Sequence, residues 1–232
     1  MSTLFDVGDF STAGAIRFSA VLSAEDRDSL TAITDRLPAG RPGMRLLGDQ
    51  ALMRVLEPTG CVGRLASAAI GDLARPVRAL LFNKTAEANW VVPWHQDRTI
   101  AVRDRRDVVG FGPWSIKGGT HHVEPPFEIL AGMVTMRIHL DDCGPDNAPL
   151  LIAPHSHRLG RVPAKDTAGH AEQLGQKACL ANSGDVWLYA TPILHASERA
   201  GMPAQRRVVQ VDYAAIGLPG GLEWLGLGEL RF

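Results

Sequence analysis

Cysteine is scarce: Cys61, Cys143 and Cys179 are the whole complement. An odd number without close spacing excludes a disulfide framework and a zinc knuckle, and the three are expected to be small reduced side chains without chemistry of their own. A surplus of charge is missing too, with 24 Lys and Arg against 25 Asp and Glu and a formal net charge of -1. No overall field favours nucleic acid or an anionic membrane surface, and neither is expected as a partner. No stretch approaches the ~20 apolar residues that span a bilayer. The opening segment from Met1 to Gly14 carries early acids in place of the basic and apolar regions of a secretion signal, so a cytoplasmic location is expected. Repeats, low-complexity tracts and an obvious interdomain linker are also absent.

What is present is an ordinary globular composition, 45% hydrophobic and 21% charged over 232 residues, which suits one domain over 1–232 with a large core. Helices are expected over about 23–75. Ser23 stands as N-cap with Asp26 three residues on, and Leu30, Ile33 and Leu37 follow at helical spacing until Pro38-Ala39-Gly40. Leu65, Ala69 and Leu73 mark a second helix over Cys61 to Ala74. From about 78 to 215 the pattern changes to short β-type runs separated by Pro, Gly, Asn and Asp: Arg78 to Phe82, Val91 to His95, Met133 to Leu140, Leu150 to Ile152, Lys177 to Leu180, Asp185 to Tyr189 and Arg206 to Tyr213. This predicts a mainly β fold with flanking helices, a sandwich or jelly roll with helices on one face. Residues 98–127, rich in Gly, Pro and charge, are expected as a long loop beside the active site, with Arg98, Arg103, Arg105 and Arg106 clustered in it and its glycines as hinges.

Two H-x-D steps compete among eight histidines. In Trp94-His95-Gln96-Asp97 the two-residue spacing puts imidazole and carboxylate on one face of an extended segment. With a distant imidazole such as His195 they can occupy one face of an octahedron, an arrangement suited to non-haem Fe(II) with open positions for substrate and oxygen. His139-Leu140-Asp141 is the alternative, at the end of a strand with a polar face of Thr135, Arg137 and His139. His155 and His157 also have ligand spacing, but lie in a polar loop where solvent-facing histidines are common. Eleven residues after His195 stands Arg206, whose guanidinium can clamp a carboxylate through two parallel hydrogen bonds. Strand parity groups it with Val208, Gln210 and Asp212, and groups Arg207 with Val209, Val211 and Tyr213.

Phe82-Asn83-Lys84-Thr85, Pro93-Trp94-His95-Gln96-Asp97, Leu140-Asp141-Asp142-Cys143, Asn147-Ala148-Pro149-Leu150, Pro154-His155-Ser156-His157-Arg158, His195-Ala196-Ser197 and Arg206-Arg207 stand in an order and spacing that resemble the phytanoyl-CoA dioxygenase family of Fe(II)/2-oxoglutarate oxygenases. The resemblance implies a double-stranded β-helix of the cupin-like jelly-roll kind, with Fe(II) held by His95, Asp97 and His195. It implies 2-oxoglutarate as co-substrate with its far carboxylate on Arg206 and with Asn83, Thr135 and Arg137 beside it, O2 as oxidant, and succinate and CO2 as products. Arg137 departs from the family, many members of which place an aromatic residue there. Gln210 and Asp212 become candidates for the cavity wall. A small-molecule substrate is expected beside Trp94, Gln96, Arg98 and Trp114, with hydroxylation as the default outcome. A cupin-like metal-binding protein, lyase or isomerase without oxygenase activity is the alternative.

Overall fold

The computed structural model describes residues 7–38, 43–202 and 204–228; the Ala39-Gly40 part of the expected helix stop lies outside them. The N-terminal part runs α1 (Val7–Ala13), β1 (Ala15–Phe18), α2 (Ala24–Asp35), β2 (Met44–Arg45), α3 (Gln50–Leu56) and α4 (Cys61–Ile70). It is followed by β3 (Arg75–Lys84), β4 (Val92–His95), β5 (Ile100–Val102), β6 (Trp114–Lys117), β7 (Thr120–Val123), α5 (Phe127–Ala131), β8 (Val134–His139) and β9 (Leu150–Ile152). After a 3-10 turn at Ser156–Arg158 come α6 (Thr167–Leu174), β10 (Lys177–Cys179), β11 (Val186–Ala190), β12 (His195–Ser197) and β13 (Arg206–Ala214).

α2 begins at the expected cap, where Ser23 Oγ accepts from the Asp26 amide at 3.0 Å. α4 stops earlier than its apolar stripe suggests: Gly71 turns the chain at φ 98°, and Leu73 lies beyond it, exposed to solvent. α3 and α4 meet so closely that a Cβ on Gly63 would overlap the Glu57 carbonyl, which only glycine avoids.

Two antiparallel sheets make the jelly roll, one in the order β1-β11-β8-β13-β3-β2 and the other β10-β9-β12-β4. β1 and β2 close the edges of the larger sheet, so the N-terminal part supplies strands as well as helices. Alternation along β13 divides that sheet's labour. Val209, Val211 and Tyr213 join Leu81, Met136, Ile138 and Leu188 under Leu30, Leu52, Leu56 and Leu65 of α2, α3 and α4. Full burial of each large apolar side chain is worth about 1.5–3 kcal/mol, so this face carries the stability. The opposite face, turned to the smaller sheet, is left to polar residues.

Residues 98–127 are not the long irregular loop that their composition predicts. β5, β7 and β6 form a third antiparallel sheet, with Ile100, Val102 and Val123 packed against Val77, Met133 and Trp224. Lys117 pairs with Thr120 across Gly118 and Gly119, at φ 55° and 76°. A two-residue hairpin turn with positive φ at both positions demands this Gly-Gly pair. Of the glycines expected as hinges, Gly118 and Gly119 make this turn, while Gly110 and Gly112 stand in the irregular segment between β5 and β6.

Candidate metal centre

β4 and β12 are antiparallel neighbours, and their register sets His95 directly opposite His195. The ring centroids are 4.2 Å apart and the planes inclined by 56°. Each ring is held by main chain two residues earlier: His95 Nδ1 lies 2.8 Å from Pro93 O, and His195 Nδ1 lies 2.9 Å from Ile193 O. A carbonyl only accepts, so each Nδ1 carries a proton, and in the neutral ring the Nε2 lone pair is the one left for a metal. Asp97 completes the group, with one ligand atom from each of the three residues lying within 4.8 Å of the others.

Charge states suit a cation. Burial, working against the pull of Asp97, pushes His195 down to about 4. Burial opposes ionisation of Asp97, yet His195, Arg78 and His95 outweigh it and hold the carboxyl below its usual range. Asp97 Oδ2 is buried and has no hydrogen-bond partner, a state that costs free energy unless something positive meets it. Its nearest support is Arg78, whose Nη2 is 4.0 Å away. Arg78 Nε donates to Asp212 Oδ2 at 2.5 Å, and Asp212 Oδ1 accepts from Thr135 Oγ1 at 3.1 Å. Two imidazoles and a carboxylate on one side of a cavity fit a hard or borderline divalent ion such as Fe(II).

That cavity has a volume of about 160 Å³ and lies between the sheets, with Phe82, Arg137, Arg206 and Gln210 from the larger and His95, His195 and Ser197 from the smaller. Three cations crowd it. Arg206 is buried, donates Nη1 to the Ala148 carbonyl and leaves Nε without a partner. Arg137 donates Nη1 to Gln210 Oε1 at 2.8 Å and also leaves Nε idle. Lys84 Nζ donates to Ser197 Oγ at 3.0 Å and Glu198 O at 2.6 Å. Burial and the two arginines push Lys84 down to about 8, while burial and Arg137 push Arg206 down to about 10. Among the described residues Asp97 is the one carboxylate in the lining. A dianion would satisfy the idle donors and relieve the mutual repulsion.

The larger sheet separates the remaining candidates. Arg207 points away from the cavity and is locked to Asp141 by Nε at 2.9 Å and Nη2 at 2.7 Å. Asn83 pairs with Arg207 across β3 and β13 and is absent from the lining, where Lys84 stands. Thr135 reaches the centre only through Asp212 and Arg78. Of the residues expected at the substrate, Trp94 packs on Ala153, Ala171 and Leu194. Gln96 is fully used, donating to Gly160 O and Pro192 O and accepting from the Val162 amide, each at 2.9 Å. Arg98 donates to Glu124 at 3.3 Å, and Trp114 belongs to the core of the third sheet under Arg105. None of these four lines the cavity; Trp90, beneath Lys84 at 5.2 Å, does. Strand parity could have exposed Lys84 and Phe82, since both share the inward set of β3 with Arg78.

The other histidines have separate work. His139 faces the same side of β8 as Arg137, buried, with neither ring nitrogen partnered. His155 Nδ1 meets Thr12 O at 2.8 Å and His157 Nε2 meets Ser11 O at 3.3 Å, satisfying carbonyls at the end of α1. Ser156 between them accepts from the Leu194 amide at 2.8 Å and so steadies the approach to His195.

The family model of phytanoyl-CoA dioxygenase (PhyH) matches residues 10–208. No curated protein matches the chain by sequence. Among solved structures, EctD from S. alaskensis in its apoform superposes with a TM-score of 0.68 at 17% identity, covering 98% of this chain and 82% of that one. The non-heme alpha ketoglutarate dependent epimerase SnoN from nogalamycin biosynthesis gives 0.64 at 16%, covering 97% and 95%. HygX from Streptomyces hygroscopicus with nickel and 2-oxoglutarate bound gives 0.55 at 17%, covering 90% and 85%. At these identities the likeness establishes the jelly-roll fold.

Proposed function

We propose, since the chain belongs to the phytanoyl-CoA dioxygenase family, that it is an Fe(II)- and 2-oxoglutarate-dependent oxygenase hydroxylating a small molecule, as a single domain in the cytoplasm. His95, Asp97 and His195 would hold the metal, and Arg206 the far carboxylate of 2-oxoglutarate. When bound, iron with 2-oxoglutarate and O2 supplies the oxidant that attacks a substrate C–H bond, and the co-substrate leaves as succinate and CO2. The protein's part is positioning. Pro93 O and Ile193 O orient the imidazoles, Arg78 and Asp212 steady Asp97, and Lys84, Arg137 and Arg206 concentrate positive charge where a dicarboxylate must lie.

The observation that carries this reading is the buried Asp97 oxygen without a hydrogen bond, grouped with two imidazoles that are each anchored through Nδ1, beside a cavity lined by three cations and, among the described residues, no second carboxylate. Among the described residues no helix is long and apolar enough to cross a membrane. Anaerobic titration tests the reading: a weak visible charge-transfer band should appear only when Fe(II) and 2-oxoglutarate are both present, and His95→Ala, Asp97→Ala and His195→Ala should each abolish it with the fold retained. A protein that binds iron but ignores 2-oxoglutarate would be the cupin-like binding module instead. Product analysis belongs to the same test, because the epimerase SnoN builds a different outcome on this fold.

A further inference from the structure

Arg78 also lines a second cavity, of about 490 Å³, together with Arg45, Lys117 and His122. Its position beside the metal centre follows from Arg78 itself, whose Nη2 is 4.0 Å from Asp97 Oδ2. Arg45 lies opposite Leu80 in the pairing of β2 with β3, which places it on the inward face shared by Leu80 and Arg78. Lys117 ends β6 at the Gly118-Gly119 turn, and His122 is buried on the returning strand with Nδ1 3.0 Å from Thr120 O.

Charge in this cavity is one-sided. Arg78 is compensated by Asp212 at 2.5 Å, whereas among the described residues neither Arg45 nor Lys117 is ion-paired with an Asp or Glu. Among the described residues Arg45 Nη1 is buried with no hydrogen-bond partner, and Lys117 Nζ has only Thr99 Oγ1 at 3.5 Å. No Asp or Glu among the described residues lines the cavity. Burial lowers the Arg45 pKa and Arg78 lowers it further, and burial with Arg78, Lys117 and Arg45 does the same to His122 against its bond to Thr120. Cations that line one cavity, with an idle guanidinium nitrogen among them, favour an anion there.

We infer that this cavity seats the primary substrate, and that the substrate carries an oxyanion group, phosphate or carboxylate, gripped by Arg45 and Lys117 while its reacting carbon extends past Arg78 toward His95, Asp97 and His195. The inference rests on the oxygenase reading and adds the substrate class. The anion site is distinct from the cavity of Arg206, Arg137 and Lys84, which the co-substrate fills.

Relaxation measurements with Mn(II) in place of iron and saturating 2-oxoglutarate test it. Inorganic phosphate and acetate are titrated separately, reading the paramagnetic broadening of the phosphate 31P and acetate methyl 1H signals. Saturable broadening of at least one anion is expected, weakened ~10-fold or more by Arg45→Gln and by Lys117→Gln, the loss of one charge-assisted contact. Lys117 is exposed at a hairpin end, so that variant keeps its fold even if the Arg45 variant does not. 2-Oxoglutarate affinity should be unchanged in both. A stronger response to phosphate assigns a phosphorylated substrate and a stronger response to acetate a carboxylic acid, either within the proposal. Absence of saturable broadening, or broadening untouched by both substitutions, overturns it. Failure of 2-oxoglutarate to bind counts against the oxygenase reading alone, because the same anions titrated by calorimetry into metal-free wild type, Arg45→Gln and Lys117→Gln still decide the anion site.

Discussion

Arg206 and Arg207 are neighbours in sequence, and their substitution by methionine should fail in opposite ways. Arg206 sits in the cavity under the repulsion of Arg137, its pKa held at about 10 by burial and that neighbour. Arg206→Met removes one of three crowded cations, so the ligand-free protein should lose no stability and its Tm should hold or rise. What goes is the clamp on a carboxylate. Hydrogen bonds to charged groups contribute about 1.5–3 kcal/mol, so the Kd for 2-oxoglutarate should rise ~10- to 150-fold. Arg207 is the reverse case. Its bonds to Asp141 at 2.9 and 2.7 Å are partly buried, whereas its contact with Asp35 at 2.6 Å meets a largely exposed carboxylate and is worth little. Arg207→Met should cost about 1–3 kcal/mol and lower Tm by roughly 2–10 °C, with 2-oxoglutarate affinity unchanged. Anaerobic titration of the Fe(II)-loaded variants gives the affinities, and thermal unfolding of the ligand-free proteins gives the stabilities. An Arg206→Met protein that binds 2-oxoglutarate normally, or an Arg207→Met protein that does not, would refute the assignment of the even-numbered face of β13 to the co-substrate.

Asp212→Asn unties Arg78 from the carboxylate that braces it and leaves Asp97 less well aimed, so Fe(II) affinity measured by competition with a chelator should fall ~10- to 100-fold; unchanged affinity would remove Asp212 from the support of the metal. Lys84 is held at about 8 by burial, Arg206 and Arg137, so the folded protein sheds this proton before the unfolded chain does, and ligand-free stability should rise with pH above about 8. Because a dianion needs the charged amine, 2-oxoglutarate affinity should decline over the same range, and both trends should disappear in Lys84→Met; a persistent decline would assign it to another group. His139 is pushed down to about 3 by burial, Arg137 and Arg206. The unfolded chain therefore takes up its proton first, and the associated stability, full above about pH 6.5, is lost as pH falls toward the folded value. His139→Leu should unfold at lower pH and keep its metal; if the metal is lost instead, His139-Leu140-Asp141 is the ligand pair.

Strand periodicity made much of this molecule readable in advance. Leu150–Ile152 forms as expected, and the other β runs from Arg78 to Tyr213 shift by a few residues at their ends. Parity separated Arg206 from Arg207 because a buried strand must turn alternate residues to opposite faces. Parity applied to β3 would also have replaced Asn83 by Lys84. What periodicity could not supply was the partner of a side chain off a regular strand. Gln96 and Arg98 flank the proposed ligands in sequence, yet the chain has left β4 there and sends each into a different neighbourhood, the carbonyls of Gly160 and Pro192 and the Glu124 carboxylate, while Trp94, still on β4, packs into the small core against α6. The third sheet was hidden because β5 is only three residues long and β6 is largely exposed, so neither shows a sustained alternation. Arg45 and Lys117 gave no signal, since β2 is a two-residue strand and Lys117 reads as an ordinary turn lysine.

Each imidazole of the His95 and His195 pair is splinted by the main-chain carbonyl two residues before it, Pro93 within β4 and Ile193 just ahead of β12, at 2.8 and 2.9 Å. A brace made of main chain travels with the residue it braces. No substitution can delete a carbonyl, and no second side chain has to co-vary with the histidine to keep its tautomer correct, as it must where a carboxylate does this job. The two nitrogen ligands are therefore portable three-residue units, wedded to strand geometry and indifferent to the identity of their neighbours. Asp97 is the exception. Its aim depends on Arg78, Asp212 and Thr135, three side chains on three strands of the opposite sheet. Sequence drift around this centre is free on the imidazole side and constrained on the carboxylate side, so adaptation of the site to a new substrate has most room around β4 and β12 and least along the inward row that joins β3, β13 and β8.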